Sequence, residues 1–211
     1  MITLDIHSDP ICPWCYIGKA QLDRALESRP EHPFHIRWHP FQLNPDMPPE
    51  GMARDDYLAL KFGGDQGVLD AYRPVVEAAE AAGLELDLPA ITRTPNTRDA
   101  HRLIHWAGLE GRQTAMVSAL FRAYFREGRD IGARDVLLDL AAGTGLDRDM
   151  IARLLDAGAD ADLIAEADRS ARARGIQAVP FFIIDGQYAT SGAQPVAVWQ
   201  NVIDELTGTP Q

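Results

Sequence analysis

The sequence predicts an α/β fold in which a large all-helical block interrupts a small sheet. Three observations carry this. Residues 1–43 read as strand, helix, strand; residues 44–173 then carry an almost wholly helical pattern; from Gly175 onward the pattern returns to β and closes on a helix.

The first strand, Ile2–His7, is short and apolar. Ser8-Asp9-Pro10 makes a turn, and Cys12–Glu27 reads as a helix with Tyr16, Ile17, Ala20, Ala25 and Leu26 on its apolar side. Phe34–His39 alternates as a second strand with one buried face. Strand, helix and strand in so short a span form a βαβ unit with parallel strands and a right-handed crossover. The breakers Asn44–Gly51 end the sheet region.

Helices are expected at Arg54–Phe62 and Asp65–Ala82, the second closed by Gly83, where a left-handed residue is favoured. A short strand is expected at Leu84–Leu88. Asn96 reads as the N-cap of Thr97–Ala107, with Asp99 in its first turn. Arg112–Arg126, Arg134–Ala142, Arg148–Leu155 and Ala161–Arg174 complete the block, with no fixed repeat. Ala178-Val179-Pro180 leads into strand Phe181–Ile184, Asp185-Gly186 signals a two-residue hairpin, and Gln187–Thr190 returns. Ser191–Pro195 opens a last helix through Leu206.

This order is that of a thioredoxin-like fold interrupted after its second strand. Residues 1–43 and 174–211 would form the thioredoxin-like domain, and 44–173 the inserted helical domain. Crevices at the carboxyl ends of parallel strands hold ligands in open α/β sheets. The block leaves from the end of the second strand, so it is expected to wall Cys12 and set specificity; a role as extra core is the plain alternative.

The only two cysteines stand in Cys12-Pro13-Trp14-Cys15, after a strand and at the head of a helix. Such a pair near a βαβ unit reads as a redox motif. A helix N-terminus leaves N–H groups unpaired and carries roughly half a positive charge, which stabilises a thiolate. Pro13 fits the first turn, where its missing N–H costs nothing. Cys12 would be the exposed nucleophile and Cys15 the buried resolving thiol. Half of a zinc site, completed by His7, His35 and His39, is weaker because four ligands are normally needed. No metal is expected. His101 and His105 stand four apart on one helix face, but Arg102 occupies the place of a zinc-protease glutamate, so a packed pair outweighs a metal site.

A formal charge of −11 argues against a nucleic-acid partner, and no apolar run is long enough to span a membrane. Ile2 enters the first strand without a leader pattern, so the expected compartment is the cytoplasm. A disulfide there is transient and catalytic.

Cys12–Gly18, Phe41–Pro45, Asn96-Thr97 with Ala100-His101-Arg102, Val179–Phe182 and Ser191–Gln194 together resemble the DsbA-family oxidoreductases of the FrnE-like cytoplasmic branch. The resemblance covers nearly the whole chain, and the Cys-Pro-Trp-Cys and Ser-Gly-Ala-Gln motifs are its most specific parts. It implies thiol–disulfide exchange on a thioredoxin fold with a helical insertion, with Cys12 as nucleophile and Cys15 as resolving thiol. Pro13 and Trp14 would support the pair, and Pro180 would be a cis-proline facing it. The residues alone leave Pro180 balanced between a cis bond and an ordinary strand start. A cis bond would aim the Val179 backbone at the cysteines, where a substrate chain can add by strand-like pairing. His101 falls in a family-like stretch and is a second candidate for substrate contact.

DsbA itself carries Pro-His between its cysteines. Trp14 brings no charge, so a less acidic Cys12 and a less oxidising disulfide than DsbA's are expected, within about −270 to −120 mV. No cofactor is needed beyond the cysteine pair, with glutathione an allowed co-substrate. The partner is a thiol or disulfide, protein or small molecule; oligomeric state is left open, a homodimer included. Kappa-class glutathione transferases and 2-hydroxychromene-2-carboxylate isomerases resemble this chain in architecture but lack paired cysteines. A glutathione-linked transferase or isomerase is therefore the second reading, and a chaperone-like binding protein with incidental cysteines the third.

Overall fold

The computed structural model describes residues 1–208. Strand β1 (Ile2–Ser8) runs parallel to β2 (Phe34–Pro40), with Ile2 opposite Phe34 and Ser8 opposite Pro40. On its other side β1 is antiparallel to β5 (Phe181–Ile184), which pairs with β6 (Tyr188–Ser191), giving the order β2-β1-β5-β6. Helix α1 (Pro13–Ser28) crosses from β1 to β2 and packs on α9 (Val196–Thr207). Between β2 and β5 lie α2 (Arg54–Phe62), α3 (Asp65–Ala81), α4 (Arg98–Leu109), α5 (Gln113–Phe125), α6 (Arg134–Gly143), α7 (Arg148–Asp156) and α8 (Ala161–Ala173). The expected α/β order with its helical insertion is the one observed.

The helical segment does not stand apart from the sheet. Leu4, Ile6, Phe41, Leu103, Leu120, Phe121, Phe182 and Trp199 belong to one continuous apolar core. A smaller cluster of Ile17, Val75, Ala79 and Ala82 fastens α1 to α3. The open edge of β2 is closed by a side chain: Trp38 N–H donates to Gln113 Oε1 at 2.9 Å, and Gln113 Nε2 donates to Trp38 O at 3.0 Å. The amide imitates a neighbouring strand and blunts an edge that would otherwise invite pairing.

Several local expectations change. Leu84–Leu88 is not a strand: Leu88–Ala90 forms a 3₁₀ turn, its start held by Ala90 N–H donating to Asp87 Oδ1. The alternation of that stretch has no strand edge to meet. The small ribbon nearby is instead β3 (Met52–Ala53) with β4 (Arg93–Thr94), each too short to show periodicity. Helix α4 starts at Arg98, one residue later than expected, with Thr97 in the N-cap position. Asn96 still contributes, since its Oδ1 accepts from Arg98 N–H at 2.9 Å. The Asp185-Gly186 hairpin is longer by one residue: Ile184 faces Tyr188, so Asp185, Gly186 and Gln187 connect the strands. Both Asp185 and Gly186 take positive φ, as the turn chemistry requires. The Gly83 expectation holds in detail. Its φ is +66°, Gly83 N–H donates to Glu80 O and Leu84 N–H to Ala79 O, a Schellman closure of α3.

Candidate active site around Cys12 and Cys15

Strand β1 ends at Ser8, and four residues later Cys12 takes the N-cap position of α1 in an extended conformation. Pro13 is the first helical residue, as its fixed φ favours. Cys12 O accepts from Cys15 N–H at 3.1 Å and Tyr16 N–H at 3.2 Å, so the first turn places Cys15 directly beneath Cys12. Both cysteines are free thiols.

The expectation of an exposed Cys12 is corrected: it is 4% exposed, and Cys15 1%. Helices α2 and α3 fold over the mouth of α1 and enclose a cavity of about 390 Å³ that Cys12 lines with Pro13, Trp14 and Val179. Access to the thiol is through this cavity. Burial raises the Cys15 thiol well above its ordinary value, and its hydrogen bond to Cys12 adds to the shift; the Ser8 side chain opposes it.

The Val179–Pro180 peptide is cis. The Cys12 thiol donates to Val179 O at 3.6 Å across the cavity rim. Pro180 is buried, its carbonyl accepting from Gly192 N–H at 2.8 Å, which ties the loop to the residues after β6. Helix α1 approaches this loop closely. A Cβ on Gly18 would lie 3.0 Å from Pro180 Cγ and 3.4 Å from Ala193 Cα, so the glycine permits the contact.

His101 does not join this group. It is 3% exposed on α4 and lines a separate cavity of about 690 Å³ along β2. Burial lowers its pKa to about 4, and its Nε2 sits 3.8 Å from Asp9 Oδ1. Its position on α4 sets it against β2 and Asp9 and outside the lining of the Cys12 cavity. His7 and His39 stack at 5.0 Å, and His39 Nε2 lies 2.6 Å from Asp5 Oδ1. Among the described residues no group of three or more His, Cys, Asp or Glu is placed to hold a metal.

Two sets of residues escaped the sequence reading. Asp9, taken as a turn residue, is fully buried behind the cysteine turn. It accepts from Leu43 N–H at 2.7 Å and Ile11 N–H at 3.4 Å, and burial raises its pKa to about 7. It thereby pins the segment leaving β2 against the cysteine turn. Asp168 does the same one residue earlier, accepting from Gln42 N–H at 2.7 Å, while Arg172 pairs with Asp168 and covers the Phe41 ring at 4.2 Å. The second set is Arg54, Tyr57, Lys61 and Tyr72, which wall the cavity. One signal was available: Arg54 opens its helix with Tyr57 and Leu58 at the third and fourth positions on, where a surface arginine commonly meets an acid.

Residues 3–204 match the family model described as a DSBA-like thioredoxin domain. The chain is 30% identical to the probable DsbA oxidoreductase SCO1869 from Streptomyces coelicolor, covering 100% of this chain and 92% of that one with a TM-score of 0.85. Its fold is also that of 2-hydroxychromene-2-carboxylate isomerase, at 17% identity, 97% and 96% coverage and a TM-score of 0.73. The cytosolic disulfide reductase DsbM from Pseudomonas aeruginosa, solved with GSH, shares the fold at 21% identity, 98% and 99% coverage and a TM-score of 0.70.

Proposed function

This chain belongs to the DSBA-like thioredoxin family, and from that premise we propose that it is a cytoplasmic thiol–disulfide oxidoreductase of the FrnE-like branch working through Cys12 and Cys15. One observation carries the reading: Cys12 caps α1 inside a cavity, beside the Val179 carbonyl, with a buried Cys15 one turn beneath it. That arrangement gives the two thiols different tasks. Cys12 faces the cavity and meets substrate. Cys15, held protonated by burial, waits until a bond forms above it.

In the reducing direction the Cys12 thiolate attacks one sulfur of a substrate disulfide. The substrate S–S bond breaks, one substrate thiolate leaves and takes up a proton, and a mixed disulfide remains. Cys15, giving up its proton, then attacks Cys12 Sγ; the second substrate thiol leaves and the Cys12–Cys15 disulfide holds the two electrons' worth of oxidation. The oxidising direction reverses these steps. The reading calls for no metal and no organic cofactor, and takes its partner from protein or small-molecule thiols and disulfides. No described helix is long and apolar enough to cross a membrane; the cytosolic placement draws its support from the DsbM likeness.

A second reading has its own support. The likeness to 2-hydroxychromene-2-carboxylate isomerase and to a reductase solved with GSH favours a glutathione-linked isomerase or transferase using the same cavity. Insulin reduction together with titration of the thiol pair in a glutathione redox buffer separates the two. Reversible two-electron behaviour, with turnover lost in Cys12→Ser, supports the oxidoreductase. Activity that persists in Cys15→Ser with an inert pair moves the assignment to the second reading.

A further inference from the structure

The cavity over Cys12 has a charge opposite to that of the chain. Among the described residues, two cations, Arg54 and Lys61, line it and no Asp or Glu does, in a protein whose formal charge is −11. Arg54 is 6% exposed at the start of α2. Its guanidinium donates to Tyr124 Oη at 3.1 Å and to Tyr72 Oη at 2.8 Å, and it forms no ion pair among the described residues. Tyr124 is buried and Tyr72 half-buried, and burial raises the pKa of both phenols, so they stay neutral and supply no counter-charge. Lys61, exposed at the rim, donates to Tyr57 Oη at 2.6 Å and likewise meets no carboxylate.

A buried guanidinium without an anion is costly to hold, and its planar fork matches a carboxylate. Thr94 and Gln177 add neutral polar groups, and the other walls beside Cys12 are aromatic or apolar, including Trp14, Phe62 and Val75. At about 390 Å³ the space is of small-molecule size. We propose that this cavity selects a small thiol or disulfide bearing a carboxylate, with the carboxylate held by Arg54 and Lys61 and the sulfur presented to Cys12. The redox part rests on the oxidoreductase reading above; the anion site does not.

With a disulfide of this class, Cys12 thiolate attacks one sulfur and the acid-bearing thiolate leaves, taking a proton from solvent. Cys15 thiolate then attacks Cys12 Sγ and displaces the second thiol. One substrate disulfide becomes two thiols while the dithiol protein becomes the disulfide.

The test compares three disulfides of similar size: 3,3′-dithiodipropionate (anionic), 2-hydroxyethyl disulfide (neutral) and cystamine (cationic). The rate at which each oxidises the reduced protein is divided by its rate with dithiothreitol, which removes intrinsic reactivity. The anionic disulfide is expected to lead the neutral one by roughly tenfold or more, the scale of a charge-assisted hydrogen bond, despite the repulsion of the chain's net charge. That ratio collapses in Arg54→Gln, falls several-fold in Lys61→Gln and returns in Arg54→Lys. A wild-type ratio at or below one, or a ratio unmoved by Arg54→Gln and Lys61→Gln, overturns the proposal. If Arg54→Gln does not fold, Lys61→Gln on the exposed rim decides. If no disulfide reacts at all, the oxidoreductase reading fails by itself. Calorimetry with S-methylglutathione against its diethyl ester then judges the anion site: binding of the acid alone keeps it, and equal or absent binding removes it.

Discussion

The thiol of Cys12 and the carbonyl of Val179, 167 residues apart in sequence, meet at 3.6 Å on the rim of the cavity. The contact joins the mouth of α1 to the loop before β5. Anything bound to Cys12 therefore meets the Val179 backbone carbonyl beside the sulfur.

That placement separates the two cysteines by experiment. Cys12→Ser is expected to abolish disulfide exchange. Cys15→Ser keeps the first attack and loses the second, so a mixed disulfide with substrate accumulates and is seen as a mass increase in intact-protein spectra. Full turnover by Cys15→Ser with ordinary disulfides would rule out the dithiol mechanism.

Gly18 supports the same loop from beneath. A methyl at residue 18 would stand 3.0 Å from Pro180 Cγ, tighter than almost all packed methyl contacts, so the proline ring would have to give way. Gly18→Ala is expected to lower unfolding free energy by about 1–3 kcal/mol, the usual cost of overpacking, measured by urea titration. Unchanged stability would mean that the loop yields freely.

Stability should depend on pH through buried groups with opposing signs. Burial lowers His7 and His101 to about 4 and raises Asp9 to about 7. Unfolded, the histidines titrate near 6.5 and the aspartate near 3.8. Between these limits the unfolded chain binds protons on both histidines that the folded chain refuses, while the folded chain keeps one on Asp9. Two outweigh one, so stability rises from about pH 4.5 to about 6.5. Asp9→Asn removes the opposing group and steepens the rise. Urea midpoints at three pH values check both, and a midpoint that falls across the window contradicts the assignment.

Trp14 carries no charge next to the nucleophile, which sets an expectation for the couple. Its midpoint should fall between about −270 and −120 mV, the thioredoxin and DsbA values. Trp14→His should move it toward the oxidising end. Titration against glutathione buffers decides, and a wild-type value as oxidising as DsbA's would remove Trp14 from the explanation.

The fold was legible because its signals are local. Alternation in Phe34–His39, the breakers after Asn44, and Gly83 at the end of α3 each report backbone preferences within a few residues. The failures were of two kinds. Leu84–Leu88 looked like a strand because short apolar alternation carries no information about a partner strand. Met52–Ala53 and Arg93–Thr94 do pair, but two residues hold no period. His101, singled out by its sequence neighbours, lines the cavity along β2, a placement that no local pattern reports.

What the sequence determined by itself is the chemistry: two thiols three residues apart, a proline starting their helix, and the order of strands and helices around them. These depend on covalent spacing and local φ/ψ preference, which no distant contact has to supply. Tertiary structure decided the rest. It buried Cys12, turned Asp9 from a turn residue into an anchor for the segment leaving β2, and left Arg54 without an acid inside the cavity. Burial and charge pairing belong to residues brought together from far apart along the chain, and only the closed fold says which ones meet.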